Sequence, residues 1–242
     1  IMFVGLAVYN IYLSSEQGYL TLLAGFTSAV VIFLLSIKQK ILGYFVLGFG
    51  GVVGLLVLTG IFNKGPLTEV IYKSSLQARS FYWEAAIRMT IDHPLFGVGM
   101  DGFGDWYRRS WPGVSGVTDT AHNVPLDIGA SGGFPLLVLH LAIIGFALLS
   151  IIKVVKRKGD FDVYFAAIVA AWVAYQAQSI ISINQLGLGV WGWSLTGLLS
   201  GYEINNQDSR PLGAQGVTRK GPVVTHKLSA GTLVITLITS GV

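Results

Sequence analysis

The chain has 242 residues, of which 52% are hydrophobic and only 12% charged; soluble domains carry about 25% charged residues. A mean hydropathy of +0.64, with the apolar residues gathered into long runs, excludes a soluble globular protein and marks an integral membrane protein. The net charge of +4 comes from short basic clusters between apolar runs, which orients membrane helices and argues against a nucleic-acid partner. There is no cysteine, so disulfides and thiol chemistry are excluded.

In chain order, apolar stretches fall at about 1–13, 19–37, 41–62, 134–152, 161–182, 186–203 and 223–242. Each is too evenly apolar for a soluble amphipathic helix. The first would span only about 20 Å as a helix, against about 30 Å of hydrocarbon. It reads as a partial span, and the chain as an internal fragment of a longer protein, expected to be inactive alone. The expected division is therefore 1–62 transmembrane, 63–133 an external loop, 134–203 transmembrane, 204–222 a polar cytoplasmic connection and 223–242 a further span.

Orientation follows from the short loops. "SIKQK" holds Lys38 and Lys40, "KVVKRK" holds Lys153, Lys156, Arg157 and Lys158, and the connection after 204 holds Arg210, Arg219 and Lys220. The turns "SSEQG" and "SINQL" hold neither Lys nor Arg. Strict alternation puts the three basic loops on one side, which the positive-inside rule makes cytoplasmic. Residues 63–133 then lie outside.

That long loop is too aromatic for disorder, with Phe81, Trp83, Phe96, Phe103, Trp106 and Trp111. "SSLQARSFYWEAAIRMTIDH" predicts a helix, with Ser74 and Gln77 forming a capping box and Pro94 ending it. "PLFGVGMDGFGDWY" predicts a Gly-rich turn region. An ordered loop on one membrane face is a natural place for a site.

Several motifs read more simply than they first suggest. Gly97-Val98-Gly99-Met100-Asp101-Gly102 matches the dinucleotide fingerprint, but a helix and Pro94 precede it where a strand is needed. Its glycines are expected to make tight turns or to let the backbone approach a membrane or ligand. Asp160-Phe161-Asp162 has the acidic spacing that many glycosyltransferases use for a metal and a sugar nucleotide, yet helix capping and pairing with the basic cluster explain it better. No cluster has metal-ligand spacing, and no cofactor is expected. His140, alone in an apolar helix, is expected to make a helix–helix hydrogen bond. The polar run Gln176, Gln178, Ser179, Ser182, Asn184 and Gln185 fits either interhelical bonds or an outward-facing cavity.

Arg79 and Trp83 are four apart and share a helix face, whereas Arg88 lies about 180° around from Arg79. Glu84 and Arg88 form an i,i+4 pair in the favourable order. Arg79 has no such partner at i±3 or i±4 and is the favoured anion ligand, with Arg88 second.

"ARSFYWEAAIRMTIDHPLFGVGMDGF", then "AHNVPLDIGASGG" and an apolar helix, resembles the O-antigen ligase/polymerase superfamily of bacterial membrane proteins. The shared pattern is Arg-x3-Trp, an amphipathic run, His-Pro-Leu-Phe-Gly-Val-Gly and a following Ala-His-Asn, covering 79–133 closely. The chain departs from it twice. Ser15-Glu16-Gln17-Gly18 stands where the family often has Ser-Arg-Gly, and Ser131 aligns with an acidic residue that often follows His-Asn.

The resemblance implies an all-α, multi-span glycosyltransferase of the bacterial cytoplasmic (inner) membrane, GT-C-like, with a partly helical extracytoplasmic loop. Its donor would be a glycan on undecaprenyl diphosphate among membrane lipids; its acceptor would be another glycan, lipid A core or a protein hydroxyl. The family's catalytic histidine maps to His122 and its loop arginine to Arg79, with Arg88, Trp83 and Asn123 as substrate-binding candidates. The chemistry suits these residue types. Diphosphate is a good leaving group, the guanidinium fork neutralises it, and a histidine of ordinary pKa near 6.5 takes the acceptor proton. No metal is required if arginine carries the phosphate charge. Two other readings stand beside this one. Some relatives have been labelled bicarbonate transporters, and Gly48, Gly50, Gly51 and Gly54 interrupt one helix as transporter helices are interrupted, though without a matching half. An inactive scaffold of the same fold is the other.

Overall fold

Backbone inside a bilayer must satisfy its own hydrogen bonds, and long apolar runs do so as helices. The computed structural model describes residues 16–62, 65, 66, 68, 74–110, 118–157 and 160–208. Among these there are helices and no strands: α1 (Glu16–Ser36), α2 (Lys40–Ile61), α3 (Ser74–Asp92), α4 (Phe103–Ser110), α5 (Val124–Arg157), α6 (Val163–Ile181) and α7 (Leu186–Asp208). Four are long and apolar enough to cross a membrane, namely Gln17–Ser36, Lys40–Ile61, Val124–Arg157 and Val163–Ile181. Helix α7 has the length to cross but is less apolar than those four. It also continues to Asp208, so 204–208 is helical where the sequence suggests a connection. The spans expected at 1–13 and 223–242, the basic residues Arg210, Arg219 and Lys220, Trp111, and the side chains of Ser74 and Gln77 lie outside the described residues.

Helix α2 runs unbroken through Gly48, Gly50, Gly51 and Gly54, so these glycines do not interrupt it as expected. Glycine costs helix stability but does not end a helix whose neighbours are strongly apolar.

Helix α1 packs along α6 and against α2, α7 lies on α5 and α6, and α3 lies on α5. Gly25 lets α1 approach α6 closely: a Cβ there would stand 2.8 Å from the Ala170 carbonyl oxygen. Two buried cores result. One joins Ile32, Ala147, Val154, Phe165, Val169, Trp172 and Leu199. The other joins Trp83, Ala85, Ala86, Met89, Phe103, Tyr107, Ala121 and Ala130 to Ile61 and Ile181, the last residues of α2 and α6. Helices α3 and α4 therefore sit on one end of the bundle.

The opposite end carries the charges. The Arg157 guanidinium donates to Glu203 at 2.6 Å, with Lys153 at 4.0 Å, and Phe33 meets Phe161 edge-on at 5.2 Å. Asp162 caps α6 by accepting from the Tyr164 and Phe165 amides at 2.9 and 3.1 Å, as its sequence position predicts. The basic cluster also forms an ion pair with Glu203. Glu203 comes from the neighbouring helix, a partner that local spacing does not reveal.

His140 also differs from expectation. Neither ring nitrogen has a hydrogen-bond partner among the described residues, and the ring meets Trp193 edge-on at 6.2 Å. In the polar run, Ser179 Oγ donates to the Gln176 carbonyl at 2.8 Å. Gln178 instead faces a cavity of about 490 Å³ lined with Thr21, Tyr175, Leu188, Trp191 and Leu195.

Candidate active site

The site is built from α3, α4 and the start of α5. Helix α3 ends at Asp92, one residue before His93-Pro94, because the residue before proline is disfavoured in the α region. Its Ala85, Ala86 and Thr90 are buried; small side chains there admit α5, where Gly129 stands against Thr90.

Sequence reading places the apolar helix near Phe134. The structure starts it at Val124, with a break at Gly133 (φ 68°, ψ −166°). Pro135 has no N–H, so the Ser131 carbonyl lacks its helical donor. Phe134 N–H turns away to the Pro94 carbonyl at 2.8 Å, which frees the Ala130 carbonyl too. The glycine-rich loop supplies both donors, Val98 N–H to Ala130 O at 2.8 Å and Gly99 N–H to Ser131 O at 3.2 Å. The expected close backbone approach is thus to the chain's own backbone. Gly97 (φ 62°) is necessary to it, since a Cβ would run into the Ala130 carbonyl. Residues 94–99 and 130–134 form one clasp, and the apolar run 134–152 continues α5 beyond it.

The region read as Gly-rich turns also contains α4. Phe103 and Tyr107, four apart, are buried on one side, while Arg108 pairs with Asp105 at 2.5 Å on the other. Gly104 is tolerated within this helix because Asp119 occupies the space of a Cβ.

Ala121-His122-Asn123 lies directly before α5. Asn123, buried, caps the helix: its Oδ1 accepts the Leu126 amide at 3.1 Å. His122 takes a left-handed backbone conformation (φ 54°). Its Nδ1 lies 3.2 Å from Thr120 Oγ1 and 3.4 Å from the Thr120 carbonyl oxygen. With the proton on Nδ1, the ring can donate to either Thr120 oxygen and keeps its lone pair on Nε2. The imidazole rests on the Tyr82 ring, centroids 5.7 Å apart and planes at 31°. Tyr82 in turn meets Tyr107 edge-on at 5.5 Å.

Arg79 lies one helical turn before Tyr82 and is partly buried. Burial lowers its guanidinium pKa from the ordinary value, and it remains a cation. With the Gln17 amide turned so that its oxygen faces the guanidinium, Nη1 donates to it at 3.3 Å and Nη2 donates as well. Gln17 belongs to the first turn of α1, in the stretch read as the external turn "SSEQG". Among the described residues no carboxylate pairs with Arg79.

The other candidates lie elsewhere. Arg88 pairs with Glu84 at 2.8 Å on the exposed side of α3, as its spacing predicts. Trp83 shares the inward side with Arg79, but is 3% exposed and packs edge-on to Phe62 at 5.4 Å. Its surroundings are core, and they leave a substrate no access to its face. Asn123 is occupied as a cap.

Sequence reading missed three residues. Tyr82 has no spacing that separates it from the many other aromatics of the loop, and Gln17 is distant in sequence. Asp127 sits where an acidic residue of a helix first turn is ordinary, but its Oδ1 accepts the Ala121 amide at 2.5 Å. Among the described residues no group of three or more His, Asp or Glu could hold a metal ion.

Comparison with curated proteins and with solved structures finds no match to this chain. A family model, described as O-antigen ligase, matches residues 1–141, which is more than half of the 242. That match takes in Gln17, the whole clasp and the Arg79, Tyr82, His122 and Asp127 cluster, and on it the chain belongs to the O-antigen ligase family.

Proposed function

We infer that family membership and four apolar helices make this a multi-pass membrane protein with a role in glycan processing. We propose that the chain is the core of a glycosyltransferase that moves a glycan from undecaprenyl diphosphate to a hydroxyl of a glycan, lipid A core or protein. The site would face outward from the bacterial inner membrane. The observation that carries this reading is that α3 bears Arg79, a cation with no carboxylate partner among the described residues, one turn before Tyr82, the ring against which the His122 imidazole lies.

In the reaction, the acceptor oxygen attacks the anomeric carbon of the donor sugar. A glycosidic bond forms and the bond to the diphosphate oxygen breaks. His122 Nε2 accepts the acceptor's proton while Nδ1–H stays on Thr120. Arg79 neutralises the departing diphosphate, exchanging its contact with Gln17 for phosphate oxygens. The apolar cavity beside Thr21, one turn along α1 from Gln17, suits part of the prenyl chain.

Transfer from an undecaprenyl-diphosphate glycan by the full-length protein in liposomes tests the proposal. His122→Ala should lower turnover by about 10²–10⁴-fold, the usual worth of a positioned base, with donor binding retained. Near-normal turnover at matched protein levels would remove His122 from the reaction.

A further inference from the structure

A non-glycine residue in the left-handed region costs roughly 1–2 kcal/mol and persists only where its surroundings hold it. His122 is such a residue, and the group fastening the chain directly before it lies five residues further on. We propose that Asp127 is a positioning residue that sets the orientation of the His122 imidazole by binding the backbone amide of Ala121. The proposal rests on the role given to His122 above.

A residue in the left-handed region turns a neighbouring N–H group toward an anion. Here the anion is the chain's own carboxylate. Ala121 N–H donates to Asp127 Oδ1 at 2.5 Å. An acidic side chain in a first helical turn ordinarily serves the free amides of that turn. In α5, Pro125 has no amide and the Leu126 amide is taken by Asn123 Oδ1. The carboxylate therefore turns back toward the loop. The Asp127 amide meanwhile donates to the Asn123 carbonyl at 2.9 Å, so helix and loop hold each other from both directions. Ala121 is fully buried and Asn123 nearly so, which leaves the His122 side chain as the part of this turn that faces Tyr82 and the open side. A carboxylate with no direct contact to the imidazole thus determines where that imidazole stands.

The test uses the full-length protein in liposomes, with undecaprenyl-diphosphate glycan as the probe. Asp127→Ala should lower kcat by roughly 10²-fold, the scale of a displaced catalytic group, with the donor KM within about twofold of the parent. Asp127→Asn keeps one acceptor oxygen and should fall between the two, and it carries the test if the alanine variant does not accumulate. The double variant His122→Ala with Asp127→Ala should be no slower than His122→Ala alone, because a group acting through His122 has nothing left to act on. A parental kcat in Asp127→Ala beside an inactive His122→Ala would overturn the proposal, as would a double variant slowed by the product of both losses. Activity retained in His122→Ala would instead overturn the function given to the site.

Discussion

Arg79 and Arg88 have the same side chain on the same helix but different surroundings. Arg88 is engaged with Glu84 in an exposed i,i+4 pair, an arrangement worth a few tenths of a kcal/mol. Arg79 is desolvated, its neighbour Gln17 is neutral, and among the described residues no carboxylate pairs with it, which leaves its charge available to an anion. Lysine keeps the charge but loses the bidentate fork. Arg79→Lys is expected to lower transfer roughly ten- to a hundredfold, matching the about 1.5–3 kcal/mol of a charge-assisted hydrogen bond. Arg88→Lys should stay within about threefold of the parent, the factor that corresponds to such a surface pair. Reversed ranks in kcat/KM would show that α3 presents its other side to the substrate. Arg79 was legible as a candidate because it lacks a local partner. Gln17 was not, because it comes from α1, and only packing of the helices brings the two together.

The clasp between the glycine-rich loop and the break in α5 follows from one missing donor at Pro135 and the carbonyls it leaves. Its two glycines differ in a testable way. Both have positive φ, Gly97 at 62° and Gly99 at 91°. A Cβ on Gly99 meets nothing within 4 Å, whereas one on Gly97 meets backbone of Ala130, Ser131 and Gly132. Gly99→Ala should therefore cost only the conformational strain, about 1–2 kcal/mol. Gly97→Ala should add about 1–3 kcal/mol of steric displacement. Thermal unfolding of the purified protein in detergent should place Gly97→Ala well below Gly99→Ala; equal midpoints would mean that the clasp opens freely. The sequence shows the glycines but not their purpose, because the carbonyls they approach lie more than thirty residues away.

The bundle has two unlike ends. Lys153, Arg157, Glu203 and the Asp162 cap gather at one, and α3, α4 and the His122 turn sit against Ile61 and Ile181 at the other. In the proposed orientation the charged end is cytoplasmic. The absence of native cysteine makes this simple to examine. A cysteine replacing Met100, which is 82% exposed, should react with a membrane-impermeant thiol reagent in intact cells. One replacing Asp160 should react only after the membrane is permeabilised. Labelling of position 160 alone in intact cells would invert the proposed topology.

Membrane residence, the apolar helices and the break of α3 before Pro94 were readable along the chain. Each depends on properties of neighbouring residues, namely hydropathy summed over a run, charge in a short loop, or the steric demand of one proline. The family's motifs were readable for the same reason, as residues in a fixed order. Tertiary packing decided the rest. It placed Tyr82 under the imidazole, turned Trp83 into the core, gave Arg157 to Glu203 and set Gln17 against Arg79. It also made α4 a helix, by burying Phe103 and Tyr107 together. These outcomes turn on which donor, acceptor or apolar surface arrives from another helix, and one-dimensional spacing carries no record of that arrival.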